Sequence, residues 1–352
     1  MISLLDLPLE LIFAILDDTR NDRNLLFAVS FTCQALRDLV SPLLYSNIHI
    51  QDYMNLSAFA EKMLNNSHLA SLVISFVGPI IPTKSARVQQ PPDGWLQNMV
   101  NLKSLHLTKR HDNRQPFPKV PFRLTSLEVN CSNGLAFIES FLKDQTNLES
   151  ISVGSIPDLA YKPLSPLACP NLKVLRGNIN AARSILPGRR VARLDWKYTQ
   201  DEPIRVSVNL LNHISDELSN LRSLSYSTES SSVGIHPLYI MSTVNLRSLR
   251  FLEIEIMYPQ DWEIISSFPN LRVFLVLEPF GVFMSMVNQP ALISELFSKC
   301  ATLQRIDVGR QDKALPCSRW VRDKSVPNSI PLHIAEEGRM EFLDDLDCDD
   351  RG

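Results

Sequence analysis

At 352 residues the chain can hold one large domain or two ordinary ones, and it needs no disulfide staples to support a core. Its 35 Lys and Arg against 38 Asp and Glu leave a net charge of −3, too balanced for a global nucleic-acid-binding field, and no apolar run is long enough to span a membrane. Leucine is abundant, 51 residues or roughly twice the ordinary share, whereas glycine is scarce at 11, and no phosphate-cradling glycine motif occurs.

In the first fifty residues Leu7, Leu11 and Ile15 repeat every four positions, with Ile12 and Leu16 widening the stripe, and the spacing predicts a helix from about Pro8 to Asp17. Pro8 loses nothing in the first turn, and Asp6 and Glu10 suit the positive end of the helix dipole. After the polar DDTRNDRN stretch, Asp22 is placed to cap a second helix carrying Leu25, Leu26 and Val29. A third helix holds Leu36, Leu39, Val40 and Leu43, with Ser41 and Pro42 expected to close it. Three short helices bury too little to stand alone, and their apolar stripe is wider than they can hide from one another, so a partner is expected.

The segments LPLELIFAIL and LLFAVSFTCQALRDLVSPLLY resemble an F-box. Leu7, Pro8, Glu10, Leu11, Ile15, Leu16, Leu25, Leu26, Cys33, Leu36, Leu39, Pro42, Leu43, Leu44 and Tyr45 fall on positions of that pattern, with Tyr45 standing where many members carry tryptophan. A generic amphipathic helical cap is the other reading of these residues. The resemblance implies that residues 1–44 form a three-helix module docking on a Skp-family adaptor and, through it, a cullin. It places Leu7, Pro8, Glu10, Leu11, Ile15, Leu26, Cys33 and Leu36 at the adaptor interface.

YSNIHI, from Tyr45 to Ile50, alternates and is rich in strand formers, so the first strand is expected directly after the third helix. From there a phrase L-x-x-L-x-L returns, often led by Asn: NLKSLHL from Asn101, RLTSLEV from Arg123, NLESISV from Asn147, NLKVLRG from Asn171, RVARLDW from Arg190, NLRSLSY from Asn220, LRFLEI from Leu249, NLRVFLV from Asn270 and TLQRIDV from Thr302, with a weaker copy, LASLVI, from Leu69. The copies follow one another at 19 to 33 residues, most of them near the leucine-rich-repeat period of about 20 to 29, with irregular loops stretching the others. Each phrase reads as a strand with alternate side chains turned inward, followed by a return segment such as Leu56–Leu64, Leu135–Leu142, Leu210–Leu218 or Ile293–Phe297. Loops are expected over Ile80–Pro92 and from His111 and Ser227. The stretch resembles the loosely spaced leucine-rich repeats of fungal F-box proteins; a leucine-rich α/β domain without true repeats is the alternative. The expected architecture is α/β, α+β at its N-terminus: the three-helix module, then residues 45–335 as a curved repeat solenoid with a parallel sheet on its concave face, then an acidic, disordered tail over 336–352.

No catalytic constellation stands out, the histidines lack ligand spacing, and six scattered cysteines with no C-x-x-C read as reduced, buried thiols, so neither enzyme activity nor a cofactor or metal is expected. The start of the chain lacks the basic residue of a secretory signal, which points to a cytoplasmic or nuclear protein with no membrane or nucleic-acid partner. If the phrase leucines point inward, Arg176, Arg193, Asp195, Lys197, Ser223 and Ser225 lie on the concave sheet face as the candidate surface for a protein substrate. Val273, Leu275 and Leu277 on the same face require a cover, supplied by a substrate or by the chain's own C-terminal segment folding back. Charge divides by segment, −3 over residues 1–50 and −6 over 336–352, leaving a basic middle suited to an acidic or phosphorylated partner. Taken with the resemblance, these readings imply the substrate-recognition subunit of an SCF-type ubiquitin ligase. The alternative is a repeat scaffold that binds the adaptor without directing ubiquitination.

Overall fold

The computed structural model describes residues 7–19, 22–79, 92, 94–107, 117, 119–130, 135, 138–154, 156, 162–198, 211–228, 246–255, 261–278, 290–310, 315–324 and 326–343. They form an α/β structure in two compact units, one of Met1–Asn130 with Phe137–Leu148, the other of Cys131–Ala136 with Glu149–Gly352. Asp6, all of the loop expected over Ile80–Pro92 but Pro92, most of that from His111, Leu210 and residues 344–352 lie outside the described residues.

The first unit opens with α1 (Leu9–Asp18), α2 (Arg23–Ser30) and α3 (Gln34–Ser46). Pro8 precedes α1, and the Asp22 carboxylate accepts the Leu25 N–H at 3.0 Å to cap α2, as the sequence predicts. Ile12, Leu16, Leu26, Leu36 and Val40 make the helical core, with Leu7, Val29, Cys33, Leu39, Leu43 and Leu44 packed around it. The expected stop at Ser41 and Pro42 is overturned: α3 runs through Pro42 to Ser46. Packing of Leu43 and Leu44 against the core outweighs the one backbone hydrogen bond proline cannot donate. The chain passes at once into β1 (Asn47–His49), which pairs in parallel with β2 (Ser75–Gly78), then β3 (Ser104–Leu107), then β4 (Ser126–Val129).

Return segments connect these strands: α4 (Tyr53–Asn65), capped by Asp52, α5 (Ser67–Ser71), capped by Asn66, a 3-10 turn at Trp95–Asn98, and, after β4, α6 (Glu139–Asp144). Register puts Ile48, Phe76, Leu105 and Leu127 in one buried row. That row corrects the weak copy at Leu69: the true first phrase is VISFVG from Val73, four residues later, because Leu69 lies in α5. The leading Asn101 has a physical job, since its amide donates to the Ser71 carbonyl at 2.7 Å and ties its phrase to the residues that lead into the neighbouring strand.

The second unit repeats the scheme with β5 (Ser150–Val153), β6 (Val174–Gly177), α7 (Ile179–Ile185), β7 (Arg193–Tyr198), α8 (Ser215–Leu218), β8 (Ser223–Thr228), β9 (Phe251–Ile254), α9 (Asp261–Ser266), β10 (Val273–Glu278), α10 (Pro290–Lys299) and β11 (Arg305–Arg310). β8 holds Ser227 and Thr228, which overturns the loop expected from Ser227 at those two residues; the rest of that stretch lies outside the described residues. Strands β5 to β11 are parallel, and Ile151, Leu175, Leu194, Leu224, Leu252, Phe274 and Ile306 form a continuous buried row. Asn270 repeats the device of Asn101, donating to the Arg247 carbonyl at 2.7 Å. The expectation of a wholly parallel sheet fails at its end, where β12 (Cys317–Val321) runs antiparallel to β11 and β13 (Asn328–Ile330) antiparallel to β12. The short β11–β12 connection leaves no room for a crossover helix, so the strand must return as a hairpin.

Then come α11 (Leu332–Glu336), a 3-10 turn at Glu337–Arg339, and residues 340–343. The acidic tail expected to be disordered from 336 is therefore folded as far as 343. Leu332, Ala335 and Phe342 join Phe251, Val273, Leu275, Leu277 and Cys317 in one buried cluster. The apolar late face is covered by the chain's own C-terminal segment, the intramolecular alternative among the covers expected above.

Candidate functional site

Two surfaces are candidates, one in each unit. In the three-helix module, Ile12 is 3% exposed while Leu11 and Ile15, one turn apart on the neighbouring flank of α1, are 52% and 44% exposed. Phe13 and Leu25 are also exposed, and on the outer side of α2 Phe27 and Phe31 stack edge-to-face at 4.7 Å while remaining 58% and 65% exposed. So many large apolar side chains on a module this small exceed the scattered exposures of an ordinary surface. The module behind them is braced by Arg23 donating to the Leu44 carbonyl at 2.9 Å and Arg37 to the Ser30 carbonyl at 3.2 Å.

Of the predicted adaptor residues, Pro8, Glu10, Leu11 and Ile15 are exposed, and Leu7 and Cys33 are half-buried. Leu26 and Leu36 are corrected: both lie in the interior of the three-helix core, because their helical phase turns them toward Ile12 and Leu16. Sequence reasoning missed Phe13, Phe27 and Phe31. The four-residue spacing of Phe27 and Phe31, off the phase of Leu26 and Val29, was the available signal.

The second surface is the strand face of the second unit opposite its row of inward leucines. Arg176 donates to Asp195 at 2.6 Å, and Arg193 holds the same carboxylate with both prongs at 2.7 and 2.8 Å. Register places Arg176, Asp195, Ser225, Glu253, Leu275, Asp307 and Arg319 in one row across β6 to β12. Asp307, fully buried, receives both prongs of Arg319 at 2.8 Å, and Glu253, 3% exposed, receives both prongs of Arg339 from the C-terminal segment. Arg305 reaches Glu341 at 2.7 Å, and Arg193 places Nη1 3.0 Å from Met340 Sδ. Burial alone would lower the Arg339 pKa, but the Glu253 carboxylate more than offsets it and holds it above its ordinary value. Arg319 is raised likewise by its bond to Asp307.

This geometry corrects the expected basic patch. Arg193 is 2% exposed and neutralised by Asp195, and Ser223 and Ser225 are buried, so only Arg176 and Lys197 of the predicted substrate residues are exposed. The sequence showed three cations near one acid but not the covering segment, whose residues are distant in the chain. Cys169 and Cys317 are buried thiols with pKa values pushed up to about 11 by desolvation, which keeps them protonated and unreactive at neutral pH.

An open cavity of about 460 Å³ also lies between α10 and the end of β12, floored by Ile293, Phe297 and Trp320 and rimmed by Arg322, Asp323 and Lys324. Arg322 is spent on the Cys300 and Leu303 carbonyls at 2.6 and 2.9 Å and on the Phe297 ring at 5.4 Å. Among the described residues no helix is long and apolar enough to cross a membrane, and no group of three or more His, Cys, Asp or Glu could hold a metal ion. No protein-family model matches the chain, and a search of the curated proteins finds no match.

Proposed function

We propose that the chain is the substrate-recognition subunit of a cullin-based, SCF-type ubiquitin ligase, with α1 to α3 as an F-box docking on a Skp-family adaptor and the strand-and-return repeats as a leucine-rich-repeat receptor for a protein substrate. The observation that carries the reading is the exposed apolar flank of Leu11, Ile15, Leu25, Phe27 and Phe31 on a module whose core is already complete. Such a flank gains by burial against a partner, at about 1.5–3 kcal/mol per large side chain. The repeated row of inward leucines and the Asn101 and Asn270 ties support the repeat half.

In this reading the chain performs no bond chemistry. It raises the effective concentration of a target lysine near the charged conjugating enzyme, and its contribution is proximity. The test is reconstitution of the full chain with adaptor, cullin, RING protein and conjugating enzyme, scored by ubiquitin transfer to a co-purified target. Transfer that requires the full chain supports the reading. Stable assembly with no transfer to any bound protein sinks it in favour of an adaptor-bound scaffold, a reading favoured by the covered strand face.

A further inference from the structure

We propose that residues 337–343 are a displaceable occupant of the strand face of the second unit, and that this face takes a protein segment of the same chemistry: an arginine followed two residues on by a carboxylate and then an aromatic side chain. This deepens the substrate half of the proposed function and rests on that reading only in treating the strand face as the recognition surface.

The manner of attachment carries the argument. The described backbone hydrogen bonds of the segment are its own turns, Met340 N–H to the Glu337 carbonyl at 2.9 Å and Leu343 N–H to the Met340 carbonyl at 3.2 Å. What ties it to the strands is side chains: the Arg339 fork on Glu253, Glu341 on Arg305, Met340 on Arg193, and Phe342 among Phe251, Val273, Leu275 and Leu277. A strand stitched permanently into a sheet shares a backbone ladder with its neighbours, and this segment shares none among the described residues. The charges point the same way. A cap whose only task is to exclude water is at least as stable when built from apolar pairs, because desolvating carboxylates and guanidiniums consumes most of what their pairing returns.

Here the strands lay a carboxylate, Glu253, a cation, Arg305, and an apolar basin across one face, and the segment answers each in the order Arg339, Glu341, Phe342. Complementarity of sign and position selects one sequence class over others, which is the property of a reading surface. Gly338 lets the backbone approach: a Cβ there would stand 2.9 Å from Arg305 Nη2 and 3.0 Å from the Phe251 ring. A competing segment must offer comparable slimness one residue before its arginine.

Two measurements on the full chain decide the matter. In native-state hydrogen exchange, the amides of residues 338–343 should open separately from the strands, with protection about tenfold or more below that of Leu194, Leu224, Leu252 and Phe274. Exchange of both sets in a single global event overturns the proposal. In the second, a fluorescent peptide of the sequence EGRMEFLDD is titrated into the unaltered chain and into the Arg339→Glu variant, whose own occupant is repelled by Glu253. The variant should bind the peptide about tenfold or more tightly than the unaltered chain, because the face is no longer prefilled, and a peptide with its arginine changed to glutamate should show no gain. Equal affinity of the two chains, or binding indifferent to the peptide's arginine, overturns the proposal. Adaptor binding is read on the same samples: its absence with peptide capture intact refutes the ligase reading alone, and the reverse refutes this inference alone.

Discussion

Ser104 and Ser223 hold the same place in their repeats, two residues after Leu102 and Leu221, and the sequence gives no reason to treat them differently. The fold does. Ser104 is half-buried on its strand face between Ser75 and Ser126, whereas Ser223 is 0% exposed between Arg193 and Phe251 beneath the C-terminal segment. Ser104→Lys places its ammonium in water and should change stability by no more than about 0.5 kcal/mol. Ser223→Lys buries an uncompensated cation beside the Arg193 guanidinium, in space filled by side chains, and should cost about 3–5 kcal/mol. At about 2–4 °C per kcal/mol for a unit of this size, the expected loss in Tm is about 6–20 °C against about 2 °C or less for the Ser104 variant. Thermal melts followed by far-ultraviolet circular dichroism read both, with Ser223→Ala as the size control. Equal shifts for the two lysine variants would show that the segment does not cover the face and that the register described here is wrong.

Ile12→Ala should cost about 2–4 kcal/mol in denaturant unfolding of the three-helix module and Ile15→Ala under about 1 kcal/mol, since only the first removes core packing. The Cys169 and Cys317 thiols, raised to about 11 from an ordinary 9.0, contribute stability that is complete below pH 9 and lost as pH rises from about 9 toward 11; in urea titrations across that range the Cys169→Ala and Cys317→Ala variants should each show a shallower alkaline decline than the unaltered chain. Asn101→Ala and Asn270→Ala should each lose about 1 kcal/mol, measured in the same titrations, by leaving a return-segment carbonyl without its tie.

Where side-chain period and local spacing control the outcome, the sequence was readable. The four-residue stripe of Leu7, Leu11 and Ile15 announced α1, and the alternation in NLKSLHL and RVARLDW announced β3 and β7 with the correct residues inward. The weak first phrase was misplaced because LASLVI has the leucines of a phrase while Asn66 caps a helix through it, a competition that only the pairing of Phe76 with Leu105 resolves. Pairings across long separations were not readable at all. Asp195 with Arg176 and Arg193 was within reach of a strand-register argument, but Glu253 with Arg339 and Arg305 with Glu341 join residues 86 and 36 apart, and neither partner's local context marks it. Arg189 is similar: nothing around it announces a buried guanidinium donating to the carbonyls of Ser165, Ala168 and Pro187.

The most direct test of the account is binding of a purified Skp-family adaptor to the full chain and to the double variant Leu11→Asp, Ile15→Asp, measured by isothermal titration calorimetry with circular dichroism confirming the fold. Both side chains are about half exposed, so the module should keep its core of Ile12, Leu16, Leu26, Leu36 and Val40. Losing two apolar anchors and burying two carboxylates should weaken binding at least about a hundredfold, or remove it. Undiminished adaptor affinity in a folded double variant, or no affinity of the unaltered chain for the adaptor, would contradict the account.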